Sequence, residues 1–280
     1  MTRRPLIEVQ ELADVLGRVT LLDVRWSLGG PPGHEEFLRG HLPGASYVDL
    51  ATDLADPPGE RGRHPLPDPD RFGAAMRRCG VDGDRPVVAY DDVSGTSASR
   101  AWWLLRHHGH RDVRLLDGGY SSWVRAGLPV QHGPGVPPPG DFRPVPGAMP
   151  VLDADGAARV AREGVLVDAR AAERFCGEVE PVDPVAGHIP GAVNVPAADN
   201  LVAAEEPSRG RFRSVEDLAD GYLRRAGVGT AGEVGVYCGS GVTATHDVLA
   251  LEVLGVTAAL YPGSWSEWVT DPTRPVATGA

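Results

Sequence analysis

The chain is written twice, and this repeat constrains its fold more than any other feature. Leu21-Leu22-Asp23-Val24-Arg25 returns as Leu166-Val167-Asp168-Ala169-Arg170, and His41-Leu42-Pro43-Gly44-Ala45 as His188-Ile189-Pro190-Gly191-Ala192. Val87-Val88-Ala89-Tyr90-Asp91 returns as Val234-Gly235-Val236-Tyr237-Cys238, and Asp117-Gly118-Gly119-Tyr120-Ser121-Ser122-Trp123 as Pro262-Gly263-Ser264-Trp265-Ser266-Glu267-Trp268. The offset between partners stays at 145 or 147 residues. Four ordered matches at a near-constant offset mark a duplicated domain. A chain of 280 residues suits two domains better than one core.

Within each copy, short β-branched runs alternate with helical patterns. Strands are expected near 20–24, 45–49, 86–90 and 112–116, with helices near 8–17, 69–79, 97–107 and 120–126. The second copy predicts strands near 164–168, 192–195, 233–237 and 257–261, and helices near 153–162, 214–226, 243–254 and 264–269. Asp68-Pro69 reads as a cap followed by a first-turn proline, and Ser214-Val215-Glu216-Asp217 as a capping sequence. Such alternation implies an α/β fold: a mainly parallel sheet with helices on both faces and reactive groups beyond the C-terminal strand ends. The expected division is residues 1–130, a linker over 131–150, and 151–280. The linker rests on composition, since Gln131 to Pro150 holds seven prolines and four glycines.

Composition removes several function classes. The net charge of −11 disfavours a nucleic-acid partner, which needs a basic face. All 27 basic residues are arginine, so Schiff-base chemistry on lysine is excluded. No apolar run approaches the roughly 18 residues of a membrane span. Met1 to Gln10 has two arginines but no apolar region behind them, so no signal peptide is read there. Three cysteines cannot make a disulfide framework, and a cytoplasmic location is expected. No metal-ligand spacing and no nucleotide-phosphate loop is present, so neither metal nor cofactor is expected.

The chemistry concentrates at Tyr237-Cys238-Gly239-Ser240-Gly241-Val242-Thr243-Ala244. An apolar strand ends at a cysteine, and a loop of small residues leads into a helix. Peptide dipoles and N–H groups at a helix N-terminus favour a thiolate and hold an anion beside it. Glycine at 239 and 241 permits the backbone angles that turn those groups inward. The first copy carries Asp91 at the position of Cys238. A carboxylate is no nucleophile towards sulfur and repels an anion, so the N-terminal domain is expected to be catalytically silent.

These elements, with Ser99-Arg100-Ala101-Trp102-Trp103 and Tyr261-Pro262-Gly263-Ser264-Trp265-Ser266-Glu267-Trp268, resemble the tandem-domain rhodaneses, the thiosulfate and 3-mercaptopyruvate sulfurtransferases. The resemblance covers residues 5–270. It implies two rhodanese-like domains and a ping-pong exchange. Cys238 would take the sulfane sulfur of a small anionic donor as a persulfide. It would then pass that sulfur to cyanide or to a thiol such as thioredoxin or a low-molecular-weight thiol. By the same resemblance Arg174 holds the donor's anionic end, and His64 faces the donor. The backbone of Gly239, Ser240, Gly241, Val242 and Thr243 lines the sulfur.

Other residues read differently. Asp168, Arg170, His41 and His188 recur in both copies and are expected to be structural, the histidines fixing a Pro-Gly turn. Cys79 reads as packing, and Cys176 as a surface or half-buried thiol. Thr243 is expected to cap a helix, and Trp265 reads equally as pocket wall or core.

The loop after Cys238 resembles the mercaptopyruvate type, because the thiosulfate type carries basic residues where this chain has Gly239 and Ser240. One departure cuts the other way. Asp183 stands near the position of a second family arginine, so the carboxylate clamp is incomplete or supplied elsewhere, and Asp183→Arg is expected to gain activity on mercaptopyruvate. A cysteine phosphatase is disfavoured because Ala244, six residues after Cys238, supplies no arginine to close the loop. A non-enzymatic module for sulfur delivery or partner docking is the alternative function.

Overall fold

A computed structural model describes residues 4–27, 29–202, 210–230 and 232–279. By contact the chain forms two compact units. Among the described residues, unit 1 holds those up to 56, 67–149 and 210–212, and unit 2 holds 57–66, 150–202 and 213–279.

Unit 1 runs β1 (Leu6–Ile7), α1 (Val9–Val15), β2 (Thr20–Asp23), α2 (Gly33–Arg39), β3 (Ala45–Tyr47), α3 (Leu50–Asp53), α4 (Pro69–Arg78), β4 (Val87–Tyr90), α5 (Ala98–His107), β5 (Val113–Leu116) and α6 (Gly119–Arg125). Its strands are all parallel, in the order β1-β5-β4-β2-β3. Every residue of β2 and β4 is buried, as apolar strands covered on both faces must be. Asp68 caps α4 by accepting from the Asp70 and Arg71 N–H groups, with Pro69 in the first turn. The proline-rich stretch expected as a linker has no helix, yet residues 131–149 group with unit 1. Phe142 is buried there against Phe72 and His110.

Unit 2 runs α7 (Ala154–Glu163), β6 (Val165–Asp168), α8 (Ala172–Phe175), β7 (Val193–Asn194), α9 (Val215–Ala219), β8 (Val234–Tyr237), α10 (Ala244–Val253), β9 (Ala259–Leu260) and α11 (Ser264–Trp268). These strands are also parallel, ordered β7-β6-β8-β9. Gly235 in β8 lets the elements around it close in. A Cβ there would lie 2.7 Å from Leu152 and 3.0 Å from Leu166. Ser214 caps α9 through the Asp217 N–H, but the single helix expected over 214–226 passes into a π-turn at Asp220–Arg225.

The repeated motifs form a matched frame. Asp23 holds Arg25, and Asp168 holds Arg170, each by several hydrogen bonds in a buried pair. Each arginine also donates to a backbone carbonyl, that of Gly40 at 2.6 Å and Gly187 at 2.7 Å. The Tyr90 and Tyr237 hydroxyls accept from Leu42 and Ile189 N–H groups, both at 3.1 Å. His41 and His188 place Nδ1 2.8 Å from the carbonyls of Phe37 and Phe175 and stack on those rings. Residues doing the same work twice, once beside Asp91 and once beside Cys238, serve the fold.

Candidate active site

β8 delivers Cys238 at its C-terminal end, and the backbone around it is fixed on three sides. The Cys238 N–H donates to Ser264 Oγ at 3.1 Å, and Ser264 donates in turn to the Tyr261 carbonyl at 2.9 Å. The Cys238 and Gly239 carbonyls accept from the N–H groups of Trp265 and Ser266, at 3.0 and 2.9 Å. Ser264 adopts φ of 54°, a left-handed angle unusual outside glycine that sets its hydroxyl under the cysteine.

The sulfur itself faces the loop. Gly241 donates its N–H to Cys238 Sγ at 3.1 Å, from a backbone with φ of 76°. A Cβ at that residue would meet the Pro262 carbonyl oxygen at 2.2 Å, so only glycine fits. Cys238 is 2 % exposed. Val242 is buried behind the loop, and Thr243, half-buried at the N-cap of α10, makes no capping hydrogen bond. The capping role expected of Thr243 is therefore absent.

Ser240 Oγ lies 2.8 Å from His64 Nδ1, a hydrogen bond in which either atom can hold the proton. The segment 57–66 that carries His64 groups with unit 2, so a residue from the first half of the sequence stands at the Cys238 loop. The Arg63 N–H donates to Ser266 Oγ at 3.1 Å, pinning this segment to α11.

Two guanidiniums stand over Gly239. A Cβ there would lie 2.9 Å from Arg63 Nη2, 3.5 Å from Arg174 Nη1 and 3.6 Å from Arg174 Nη2. Arg174, in the last turn of α8, binds Glu180 Oε1 at 2.6 Å and Asp183 Oδ2 at 3.3 Å through Nη2. Arg63 pairs with Asp183 through Nη1. Burial and the nearby Glu180 push the Asp183 carboxyl up, against the pull of Arg63 and Arg174. Burial acts the same way on Glu180, but the Asp183 and Val182 N–H groups and Arg174 outweigh it and hold its carboxyl below the usual range.

Of the two alternatives left open for the clamp, this geometry favours supply from elsewhere: Arg63 brings a second guanidinium beside Gly239, and Asp183 is a buried carboxylate paired with both it and Arg174. An arginine at 183 would set a third cation against those two, so the gain expected from Asp183→Arg is withdrawn. Arg63, Ser264 and the joining role of Asp183 were not found from sequence. Trp265 is fully buried and gives its indole N–H to the Val185 carbonyl at 2.8 Å, which makes it core. Cys79 is buried, its thiol pushed up to about 12 by desolvation. Cys176 is a half-buried free thiol at the end of α8.

The counterpart loop in unit 1 is filled by its own anion. Asp91 Oδ1 accepts from the N–H groups of Val93 and Gly95, at 2.9 and 2.8 Å. Its Oδ2 accepts from the N–H groups of Ser97 and Ala98, both at 2.9 Å, and from the Ser97 hydroxyl at 3.1 Å. Burial raises the Asp91 carboxyl and these donors pull it back. Five donors aimed at two oxygens hold a carboxylate, and no thiol is present to react.

Among the described residues no cluster of three or more His, Cys, Asp or Glu side chains is placed to bind a metal, and no helix is long and apolar enough to cross a membrane.

The rhodanese-like domain family matches residues 8–126 and 153–271. A Pseudomonas aeruginosa protein named for 3-mercaptopyruvate sulfurtransfer is 46 % identical over 100 % of both chains. SseB of Mycobacterium tuberculosis, named for thiosulfate sulfurtransfer, is 46 % identical over 98 % of this chain and 97 % of its own. The crystal structure of SseA from Escherichia coli superposes with a TM-score of 0.81 at 33 % identity, covering 95 % of this chain and 100 % of that one. With the domain present twice and the likeness running from end to end, the chain belongs to the rhodanese family and is a sulfurtransferase.

Proposed function

We propose that Cys238 is the nucleophile, that it carries sulfur as a persulfide, and that 3-mercaptopyruvate is the preferred donor. The Cys238 thiolate attacks the donor sulfur, forming an S–S bond while the donor C–S bond breaks. The electron pair of that bond leaves with the methylene carbon, which takes up the proton given by the donor thiol. Pyruvate departs and Cys238 is left as a persulfide anion. An acceptor thiolate then attacks the outer sulfur and returns Cys238 to its thiolate, the electron pair of the S–S bond going back to Sγ. The acceptor is a thiol such as thioredoxin or a low-molecular-weight thiol, or cyanide. This cycle needs a reduced cysteine, which suits the cytoplasm, and all three cysteines are free.

The observation that carries the donor assignment is the 2.8 Å contact between His64 Nδ1 and Ser240 Oγ beside Cys238. Mercaptopyruvate must move one proton from sulfur to carbon, and an imidazole–hydroxyl pair can relay it. Thiosulfate releases sulfite and moves none, so it has no use for the pair. Arg63 Nη2 and Arg174 Nη1 offer a carboxylate two donors beside the same loop. The name of the Pseudomonas aeruginosa relative agrees with this choice. Thiosulfate is the second reading, supported by the name of the Mycobacterium tuberculosis relative.

Steady-state assays with both donors test the assignment. Ser240→Ala and His64→Asn should each lower kcat on mercaptopyruvate by about 10²–10⁴, the usual worth of a proton-transfer group, and leave thiosulfate turnover within a few-fold. Cys238→Ser should lose both activities and the one-sulfur mass gain that wild type shows after incubation with donor. Equal losses on the two donors would remove the proton relay and with it the preference for mercaptopyruvate.

A further inference from the structure

We infer that Asp183 sets donor selectivity: its carboxylate fixes Arg63 and Arg174 in place and cancels the positive charge that a dianionic donor would need. The inference rests on the Cys238 sulfur-transfer reading and adds to it the residue that discriminates between donor charges.

Four charged groups define the site beside Gly239. The guanidiniums are partly open, with side-chain exposures of 31 % for Arg63 and 20 % for Arg174, while Asp183 and Glu180 are each 4 % exposed beneath them. The charges of these four side chains sum to zero. The one further arginine in contact, Arg170, is held by Asp168 at 2.7 Å and reaches Glu180 only at 3.4 Å. The division of labour between nitrogens is clear. Asp183 takes Arg63 Nη1 and Arg174 Nη2, and Glu180 takes Arg174 Nη2 and Nε. The nitrogens nearest Gly239 that take no part in those pairs are Arg63 Nη2 and Arg174 Nη1.

A carboxylate needs directed N–H donors, and this arrangement offers two without a net field. A dianion such as thiosulfate gains twice as much from each unit of surplus charge, and here the surplus is absent. Asp183 thus orients the guanidinium edges and removes the electrostatic advantage of the doubly charged donor. Because Asp183 faces the guanidiniums rather than the sulfur, it is a positioning and selectivity residue.

Asp183→Asn keeps an oxygen acceptor for Arg63 and removes one negative charge. At a separation on the order of 7 Å and effective dielectric constants of roughly 40–80, the ratio of kcat/KM for thiosulfate over mercaptopyruvate should rise about three- to tenfold. The rise should shrink as ionic strength approaches about 1 M, where the Debye length falls to roughly 3 Å. Asp183→Glu, which restores the charge, should return the ratio to wild type. A tether with no electrostatic role predicts parallel changes on both donors and an unaltered ratio, and that result overturns the inference. Wild type supplies a second reading that needs no folded variant. A neutral mouth gives thiosulfate kcat/KM no steep decline with added salt, and a steep decline refutes the proposal. Persulfide mass on Cys238 is followed in the same reactions. Its absence with every donor would sink the sulfur-transfer reading itself, whereas its presence with an unchanged ratio would sink only the role of Asp183.

Discussion

Replacing Gly241 by alanine tests whether the loop amides stabilise charge on sulfur. The residue sits at φ of 76°, where an L side chain costs about 1–2 kcal/mol. Its new Cβ would stand 2.2 Å from the Pro262 carbonyl oxygen and 2.9 Å from both the Pro262 carbonyl carbon and Cα. Those atoms belong to backbone leading into α11, whose Trp265 and Ser266 N–H groups already hold the Cys238 and Gly239 carbonyls. Pro262 therefore cannot retreat without pulling on the Cys238 peptide, so the 241 peptide must move instead and carry its N–H off Sγ. A hydrogen bond to a charged group is worth about 1.5–3 kcal/mol, which converts to a roughly ten- to hundredfold slower first step. The assay is a single turnover: enzyme mixed with donor, quenched at intervals, and the one-sulfur gain on Cys238 read by mass spectrometry. Gly239→Ala is the control, since its Cβ meets only the ends of two flexible guanidiniums. It should alter donor affinity more than the rate at saturation. Should Gly241→Ala form persulfide at the wild-type rate while its melting temperature falls, the Gly241 N–H does not stabilise the thiolate, and the loop has only a structural role.

Two further outcomes follow from the same geometry. Asp91→Ala removes the partner of four N–H groups, three of them in buried hydrogen bonds, at about 1–3 kcal/mol for each buried one orphaned, so urea unfolding should show a loss above about 3 kcal/mol; a change under about 1 kcal/mol would mean that water or a loop shift replaces the carboxylate. In native protein at mildly alkaline pH, Cys79 should stay unmodified by iodoacetamide, because its thiol is buried and pushed up to about 12; peptide mapping that finds Cys79 alkylated as fast as Cys176 would contradict that burial.

The sequence made the frame legible because parallel strands buried on both faces must be apolar runs. The eight expected strands each coincide with an observed one to within about two residues, and only the two-residue β1 lay outside them. The helices α2, α3 and α8 were missed. They span seven, four and four residues and show no apolar period of 3.6. The Cys238 loop was visible because strand, cysteine, glycine loop and helix lie consecutively. Arg63 was invisible for the opposite reason: it comes from an aperiodic Pro/Gly/Arg loop far from Cys238 in sequence, and no spacing rule relates the two. Asp183 was seen only as a missing arginine, with the place of the second guanidinium left open. A residue type shows the sign of a charge, whereas its effect depends on which charges surround it, and those came from two separate segments.

The two copies also form an internal comparison of what this cradle does. Six residues separate Asp91 from the first residue of α5, and five separate Cys238 from the first residue of α10. In unit 1 the longer loop turns four amides onto a fixed carboxylate, each at 2.8–2.9 Å. In unit 2 the same strand end carries a thiol, and one loop amide, that of Gly241, meets it at 3.1 Å. The backbone of this fold therefore favours negative charge beyond the fourth apolar residue of its central strand, whichever side chain is supplied there. Asp91 satisfies that preference permanently. A thiolate would satisfy it only in part, and the proposed persulfide would move that one charge to a second sulfur facing the same ring of peptide dipoles. On the proposed cycle the two copies differ in whether the anion in the cradle is covalently complete or can still accept an atom.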